Sequence, residues 1–83
     1  MIRITLGDTL NDLGITRNKL AVESKIRPAT INSLVKGDAA LIKFDTLCTM
    51  LDTINDIAVE KGKGKQYTIK DIIDYQYTFT KGS

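Results

Sequence analysis

Helix start and stop signals follow one another closely in the first half of the chain. Gly14 suits the end of one helical pattern, and Thr16 is a typical residue to cap the next. Pro28 suits the first position of a further helix, because its missing N–H would have no partner there. Gly37 suits the left-handed residue that ends it. Helices this short are marginal alone in water, so the segment must fold by packing its helices together.

Apolar residues recur at helical spacing in five segments. The first three predicted helices cover 6 or 7 to 13, 17–24 and 28–36. Asp45 is the predicted cap of a fourth helix, and Thr68 opens a fifth with a T-x-x-D capping box. The fourth helix carries the apolar stripe Leu47, Met50, Leu51, Ile54, Ile57 and Ala58. Alternation in the letters IRIT near one end and YQYTFT near the other is typical of strands, which would pair with each other.

The chain length sets the number of domains. A chain of 83 residues suits one compact core. We therefore expect an all-α, compact five-helix domain over residues 1–80, with short β-strands at the two termini as an option and a mobile tail at 81–83.

Several classes of protein are disfavoured by what the sequence lacks. Cys48 is the only cysteine and there is no histidine, so neither an intrachain disulfide nor a zinc site is expected. We expect Cys48 to lie within or beside the core as a small apolar residue. The sequence shows no candidate nucleophile with a recognisable general base, and it contains no cofactor-binding motif. No enzyme activity is therefore predicted. No apolar run reaches about 18 residues, which predicts a soluble cytoplasmic protein without membrane contact.

Positive charge concentrates in one segment, although the net charge is only +2. Residues 16–36 carry one acid, Glu23, against the basic residues Arg17, Lys19, Lys25, Arg27 and Lys36. Residues 44–83 are nearly balanced. The polar connection with Lys61, Lys63 and Lys65 is expected to keep a loop soluble. A local excess of positive charge is what a phosphate-facing surface requires.

The two central helices at 16–37 are joined by a turn too short for an antiparallel pair. They must cross steeply, with the small Ala21 at their closest approach, and this is the geometry of a helix-turn-helix. Here the chain resembles the lambda-repressor-like (Xre or Cro-type) family of bacterial and phage transcriptional regulators, over about residues 2–75. The resemblance rests on the Leu20–Ala21 pair, on Ile26, on the TIxxLxxG run that ends at Gly37, and on the segments FDTLCTML and YTIKDIIDY.

The resemblance implies sequence-specific binding of a double-stranded DNA operator by a homodimer, most simply as a repressor. The recognition helix would be 28–36, in the major groove. The residues implied to read bases are Arg27, Ala29, Thr30, Asn32 and Ser33. Those implied to hold phosphates are Arg17, Asn18, Lys36 and Lys43.

The sequence also departs from the family pattern. Lys25 stands where the turn usually has glycine, Pro28 and Ala29 replace long polar side chains, and residues 58–66 lengthen the approach to the last helix. Because Pro28 and Ala29 offer few polar groups to bases, an alternative function remains open. In that alternative the chain is a protein-binding module, such as an antitoxin or an inhibitor. For the DNA-binding interpretation, the sequence leaves open a regulatory protein partner.

Overall fold

The computed structural model describes residues 2–38 and 41–77. In chain order it has strand β1 (Ile2–Ile4), helices α1 (Leu6–Leu13), α2 (Arg17–Ser24), α3 (Pro28–Lys36) and α4 (Phe44–Glu60), a 3₁₀ turn (Ile69–Asp71) and strand β2 (Ile73–Tyr75). This part of the chain is therefore mostly helical, with four α-helices and a small two-stranded sheet. The predicted mobile tail at 81–83 and the predicted domain end at residue 80 lie outside the described residues.

The ends of the first three helices follow the signals in the sequence. Thr16 caps α2, and its Oγ1 accepts a hydrogen bond from the backbone N–H of Lys19 at 3.0 Å. Pro28 is the first residue of α3. Gly14 and Gly37 adopt left-handed φ angles of 75° and 78°, and the glycines thereby end α1 and α3. The bounds predicted for these three helices are confirmed.

A single apolar core lies where the helices meet. Its buried members are Leu6, Leu10, Leu13, Leu20, Ala21, Ile31, Leu34, Leu47, Met50, Ile54, Ile57, Ala58, Tyr67 and Ile72. Helix α2 packs against both α3 and α4. The side chain of Ala21 on α2 is buried in this core, and Leu51 and Ile26 pack at its edge. The apolar stripe predicted for α4 is thus the one that the core uses.

The turn between α2 and α3 is held by a serine. Ser24 Oγ donates to the carbonyl of Leu20 at 2.6 Å and accepts from the N–H of Ile26 at 3.3 Å. Between them Lys25 takes a left-handed φ of 61°. These bonds tie the turn back to the Leu20 carbonyl and give the Ile26 N–H, just beyond the end of α2, a hydrogen-bond partner. They fix the direction in which the chain enters α3.

The predicted fifth helix is wrong: a single 3₁₀ turn stands in its place. The capping box of Thr68 and Asp71 is present, so the start signal is confirmed. The carbonyls that would continue a helix are taken by other partners instead. Those of Lys70 and Asp71 accept from the hydroxyls of Thr5 and Thr9, and that of Ile72 accepts from the Thr5 N–H at 2.9 Å. Tertiary contacts with the amino-terminal segment therefore override the local helical pattern.

The predicted pairing of two terminal strands is confirmed, with a shift in position. Strand β2 runs antiparallel to β1, with Ile4 opposite Ile73 and Ile2 opposite Tyr75. The strand therefore begins before the YQYTFT segment that was expected to form it. Residues 78–80 of that segment lie outside the described residues.

Two expectations for α4 are also wrong. Cys48 is exposed rather than at the core, because it follows the buried Leu47 by one residue and so lies about 100° around the helix from it. Helix α4 begins at Phe44, and Lys43 rather than Asp45 is its N-cap. Asp45 lies in the first turn, where its negative carboxylate interacts favourably with the positive end of the helix dipole.

Candidate nucleic-acid interface

The N-termini of α2 and α3 differ in charge from those of the other two helices. Arg17 opens α2 after the cap, and Arg27 is the N-cap of α3; neither helix has an acid in its first turn. In contrast, α1 carries Asp8 and α4 carries Asp45 in the first turn. The positive end of a helix dipole attracts anions. On α2 and α3 that attraction is reinforced by arginine and is not neutralised within the helix.

Helix α3 presents one side to solvent and the other to the core. Ile31 and Leu34 are buried, while Ala29 and Thr30 are exposed. Asn32 and Ser33 are half-buried, and Lys36 is exposed in the last turn. All the residues predicted to read bases from this helix therefore reach the surface. Ala29 and Thr30 come first along this side of α3, Asn32 and Ser33 follow, and the predicted phosphate-contacting Lys36 comes last.

Arg17 and Asn32 are brought together across the two helices. The guanidinium Nη1 of Arg17 donates to Oδ1 of Asn32 at 3.3 Å. The sequence interpretation placed these residues in different groups, one holding phosphate and one reading bases. In the structure, this hydrogen bond links a predicted phosphate-contacting residue to a predicted base-reading residue.

The remaining predicted phosphate-contacting residues are exposed. Asn18 is the second residue of α2, and Lys43 is the N-cap of α4. The side chains of Arg27, Lys36 and Lys43 form no hydrogen bond or ion pair with any other residue in the ranges 2–38 and 41–77. Their charges are accordingly available to an anionic partner.

A shallow groove runs beside the predicted base-reading side of α3. Its volume is about 290 Å³, and it is lined by Ala29, Thr30, Ser33, Asp38 and Leu41. Leu41 is 92% exposed, and Asp38 adds a negative charge. The sequence interpretation missed both residues. The sequence did contain one sign of this site, because Leu41 is an apolar residue in a loop and belongs to the apolar face of no predicted helix.

The lysine-rich connection after α4 is tied to the end of α1. Lys63 Nζ donates to the backbone carbonyl of Asp12 at 3.0 Å, and Lys65 Nζ lies 3.2 Å from its carboxylate. Tyr67 donates its hydroxyl to the same carboxylate at 2.7 Å, and Lys65 also lies 4.9 Å from the Tyr67 ring centre. Two of the three loop lysines therefore hold the loop in place.

This cluster changes the acidity of its members. The hydrogen bond from Tyr67, together with the bond and charge of Lys65, lowers the pKa of Asp12 from its ordinary value of 3.8. The same hydrogen bond, with burial, raises the pKa of Tyr67 to about 12. The carboxylate and the neutral phenol are thus the forms that the fold favours.

Negative charge collects on the outer side of α4. Its exposed acids are Asp45, Asp52, Asp56 and Glu60, and the helix contains no basic residue. The surface of α2 and α3 and the surface of α4 therefore differ in sign. A polyanion approaching this molecule is drawn to the first surface and repelled by the second.

Neither a metal site nor a membrane span is visible in the part of the chain that the structure describes. No group of three metal-ligating side chains is found there. No helix within the same ranges has the length and apolar character needed to cross a bilayer.

Comparison with known proteins gave no assignment. No protein-family model matches the chain, and no curated protein or solved structure shows significant similarity to it. The function must accordingly be inferred from the residues themselves.

Proposed function

We propose that this chain is a sequence-specific double-stranded DNA-binding domain of the lambda-repressor-like helix-turn-helix type, and that it represses transcription by occupying a promoter. In this proposal α3 enters the major groove and α2 lies against the phosphate backbone. A helix with its side chains is about 10–12 Å across, and the groove is about 12 Å wide, so the dimensions are compatible.

The observation that carries the proposal is the pair of helix N-termini that bear arginine and no acid. Arg17 and Arg27 occupy these ends. A cation at an exposed helix N-terminus is repelled by the helix dipole, which costs about 0.3–1 kcal/mol. A bound phosphate would turn this repulsion into attraction from both the arginine and the helix N–H groups. Consecutive helices with the same feature favour a partner that offers several phosphates.

The chemistry of α3 supports sequence reading as well as charge attraction. Asn32 can pair with N6 and N7 of adenine, and Ser33 can donate to or accept from a base edge. Ala29 and Thr30 suit a thymine methyl group, and Arg27 suits a guanine or a phosphate. Asn18, Lys36 and Lys43 would hold the flanking backbone, which sets register without reading sequence.

A homodimer completes the proposal. One short helix makes few base contacts, and operator affinity therefore requires a second copy. Two copies related by a two-fold axis would place their recognition helices in successive major grooves, about 34 Å apart, on a pseudo-palindromic site. Occupying such a site is enough to block a promoter without any further domain.

A protein-binding module is the second candidate, and a specific observation favours it. Leu41 is 92% exposed and Phe44 is 84% exposed, close together in the chain just after α3. Leu41 lines the same groove as Ala29, so two apolar side chains lie together there. Exposed apolar surface of this kind is typical of contact with another protein.

Selection of bound sequences from a random double-stranded DNA pool, at two salt concentrations, separates the candidates. A DNA-binding dimer should enrich a two-fold symmetric motif, and its affinity should fall by about 0.9 log unit per log unit of salt for each phosphate neutralised. A protein-binding module should enrich no motif and bind DNA weakly even at low salt. That second result would overturn the proposal.

A further inference from the structure

The hydrogen bond between Arg17 and Asn32 joins the two helices of the candidate interface on their outer side. It links the first residue of α2 to the fifth residue of α3, with 3.3 Å between Nη1 and Oδ1. Among the residues that the structure describes, it is the one side-chain hydrogen bond from α2 to α3. The contact therefore connects a side chain suited to phosphate with one suited to bases.

The chemistry of the two groups allows this contact in only one orientation. A guanidinium has N–H donors and no acceptor, whereas a side-chain amide has an acceptor oxygen at one end and an NH₂ donor group at the other. If the Asn32 amide turned over, its NH₂ group would face the donors of Arg17 and the bond would be lost. Arg17 therefore fixes which end of the amide faces α2.

We infer that Arg17 is a positioning residue for base reading: it fixes the Asn32 amide and so determines which base Asn32 selects. The inference rests on the proposed function. With Oδ1 directed to Arg17, its second lone pair remains available to accept from adenine N6–H, while Nδ2 donates to N7. An amide without this constraint presents donor and acceptor in either order, and it distinguishes base pairs less well.

The contact can be removed without threatening the fold. Arg17 is exposed, and α2 and α3 are already held together by buried Ala21, Ile31 and Leu34. An exposed hydrogen bond adds little to the stability of a core of this kind. Variants at Arg17 should therefore fold and can be tested for recognition.

The experiment compares Arg17→Met with Lys36→Met. Each removes one exposed cation from the candidate interface, but Lys36 makes no hydrogen bond to Asn32. Affinities are measured for the selected operator and for its substitutions at each base pair. The base pair read by Asn32 is the one at which Asn32→Ala makes the affinities equal. There the wild type should prefer one base pair at least about fivefold.

Arg17→Met should abolish most of that preference at the Asn32 base pair and leave preferences elsewhere intact. Lys36→Met should lower affinity for every sequence alike. Combining Arg17→Met with Asn32→Ala should reduce discrimination no further than Asn32→Ala alone. If Arg17→Met also lowers all affinities equally, the inference is wrong although the protein binds DNA. A wild type without any sequence preference would instead refute the proposed function.

A readout on the free protein tests the contact independently of DNA. The side-chain amide resonances of Asn32 in an NMR spectrum should shift in Arg17→Met and stay unchanged in Lys36→Met. Unchanged resonances in both variants would show that Arg17 does not hold the amide, and would overturn the inference.

Discussion

Lys25 is the residue whose backbone is least suited to its side chain. Its φ of 61° is the only left-handed angle outside glycine in the ranges 2–38 and 41–77. A side chain in this conformation costs about 1–2 kcal/mol, because Cβ crowds the following carbonyl. The turn persists because Ser24 bonds to both sides of it and because Ile26, just beyond, packs against the core.

Lys25→Gly should therefore stabilise the protein. Relief of the strain outweighs the larger backbone entropy that glycine loses on folding, for a net gain of about 0.5–1 kcal/mol in the free energy of unfolding. Lys25→Ala is the matched control, since it removes the same charge and keeps Cβ. Chemical denaturation of both variants tests this. Equal stabilities for glycine and alanine would show that the left-handed turn is not strained.

Asp12 is the residue through which pH should act on the fold. Folding lowers the pKa of this carboxyl, because Tyr67 and Lys65 bind the carboxylate. As the pH falls, the Asp12 carboxylate of the unfolded chain is therefore protonated before that of the folded protein. The stabilisation by Asp12 is fully present above its ordinary pKa of 3.8 and is lost as the pH falls below that value.

The wild type should consequently be more stable than Asp12→Asn near neutral pH, and this advantage should shrink as the pH falls below about 4. Thermal unfolding of both proteins across the acid range is the measurement. A difference in stability that stays constant through that range would contradict the role given to the Asp12 carboxylate.

The helices α1, α2 and α3 could be predicted because local residues set their ends, whereas the conformation of the segment after Thr68 could not. Thr16, Pro28 and Gly37 act through local backbone chemistry, which a sequence displays directly. The segment after Thr68 has an equally clear helix start. Its outcome depends on Thr5 and Thr9, more than sixty positions earlier in the chain. No local pattern can reveal that these hydroxyls take the carbonyls a helix would need.

Removing one of these hydroxyls tests that explanation. Thr9→Val keeps the shape of a buried side chain but leaves the Asp71 carbonyl without its partner, so it should cost about 1–3 kcal/mol. Thr49→Val is the control, because Thr49 is exposed and its hydroxyl bonds only to the Asp45 carbonyl of its own helix. Denaturant midpoints should fall clearly for the first variant and little for the second. Similar losses in both would refute the explanation.

At the scale of the whole molecule, charge is divided between two surfaces. The N-termini of α2 and α3 carry arginine without acids, and the outer side of α4 carries acids without a base. The excess of basic residues at 16–36 was visible in the sequence. The involvement of Lys63 and Lys65 in holding a loop was not, because it depends on how the chain returns to Asp12. The contact between Arg17 and Asn32 likewise depends on how α2 and α3 pack.

The salt dependence of DNA affinity, measured with one charge removed at a time, tests whether the surface of α2 and α3 binds DNA. Lys36→Gln removes a charge that is proposed to hold a phosphate, and Lys70→Gln removes an equal charge from the exposed 3₁₀ turn. We expect log affinity to fall linearly with log salt for the wild type, Lys36→Gln to lower the slope by about 1, and Lys70→Gln to leave it unchanged. Equal slopes for all three proteins, or the same reduction in both variants, would contradict the assignment of the α2 and α3 surface to DNA.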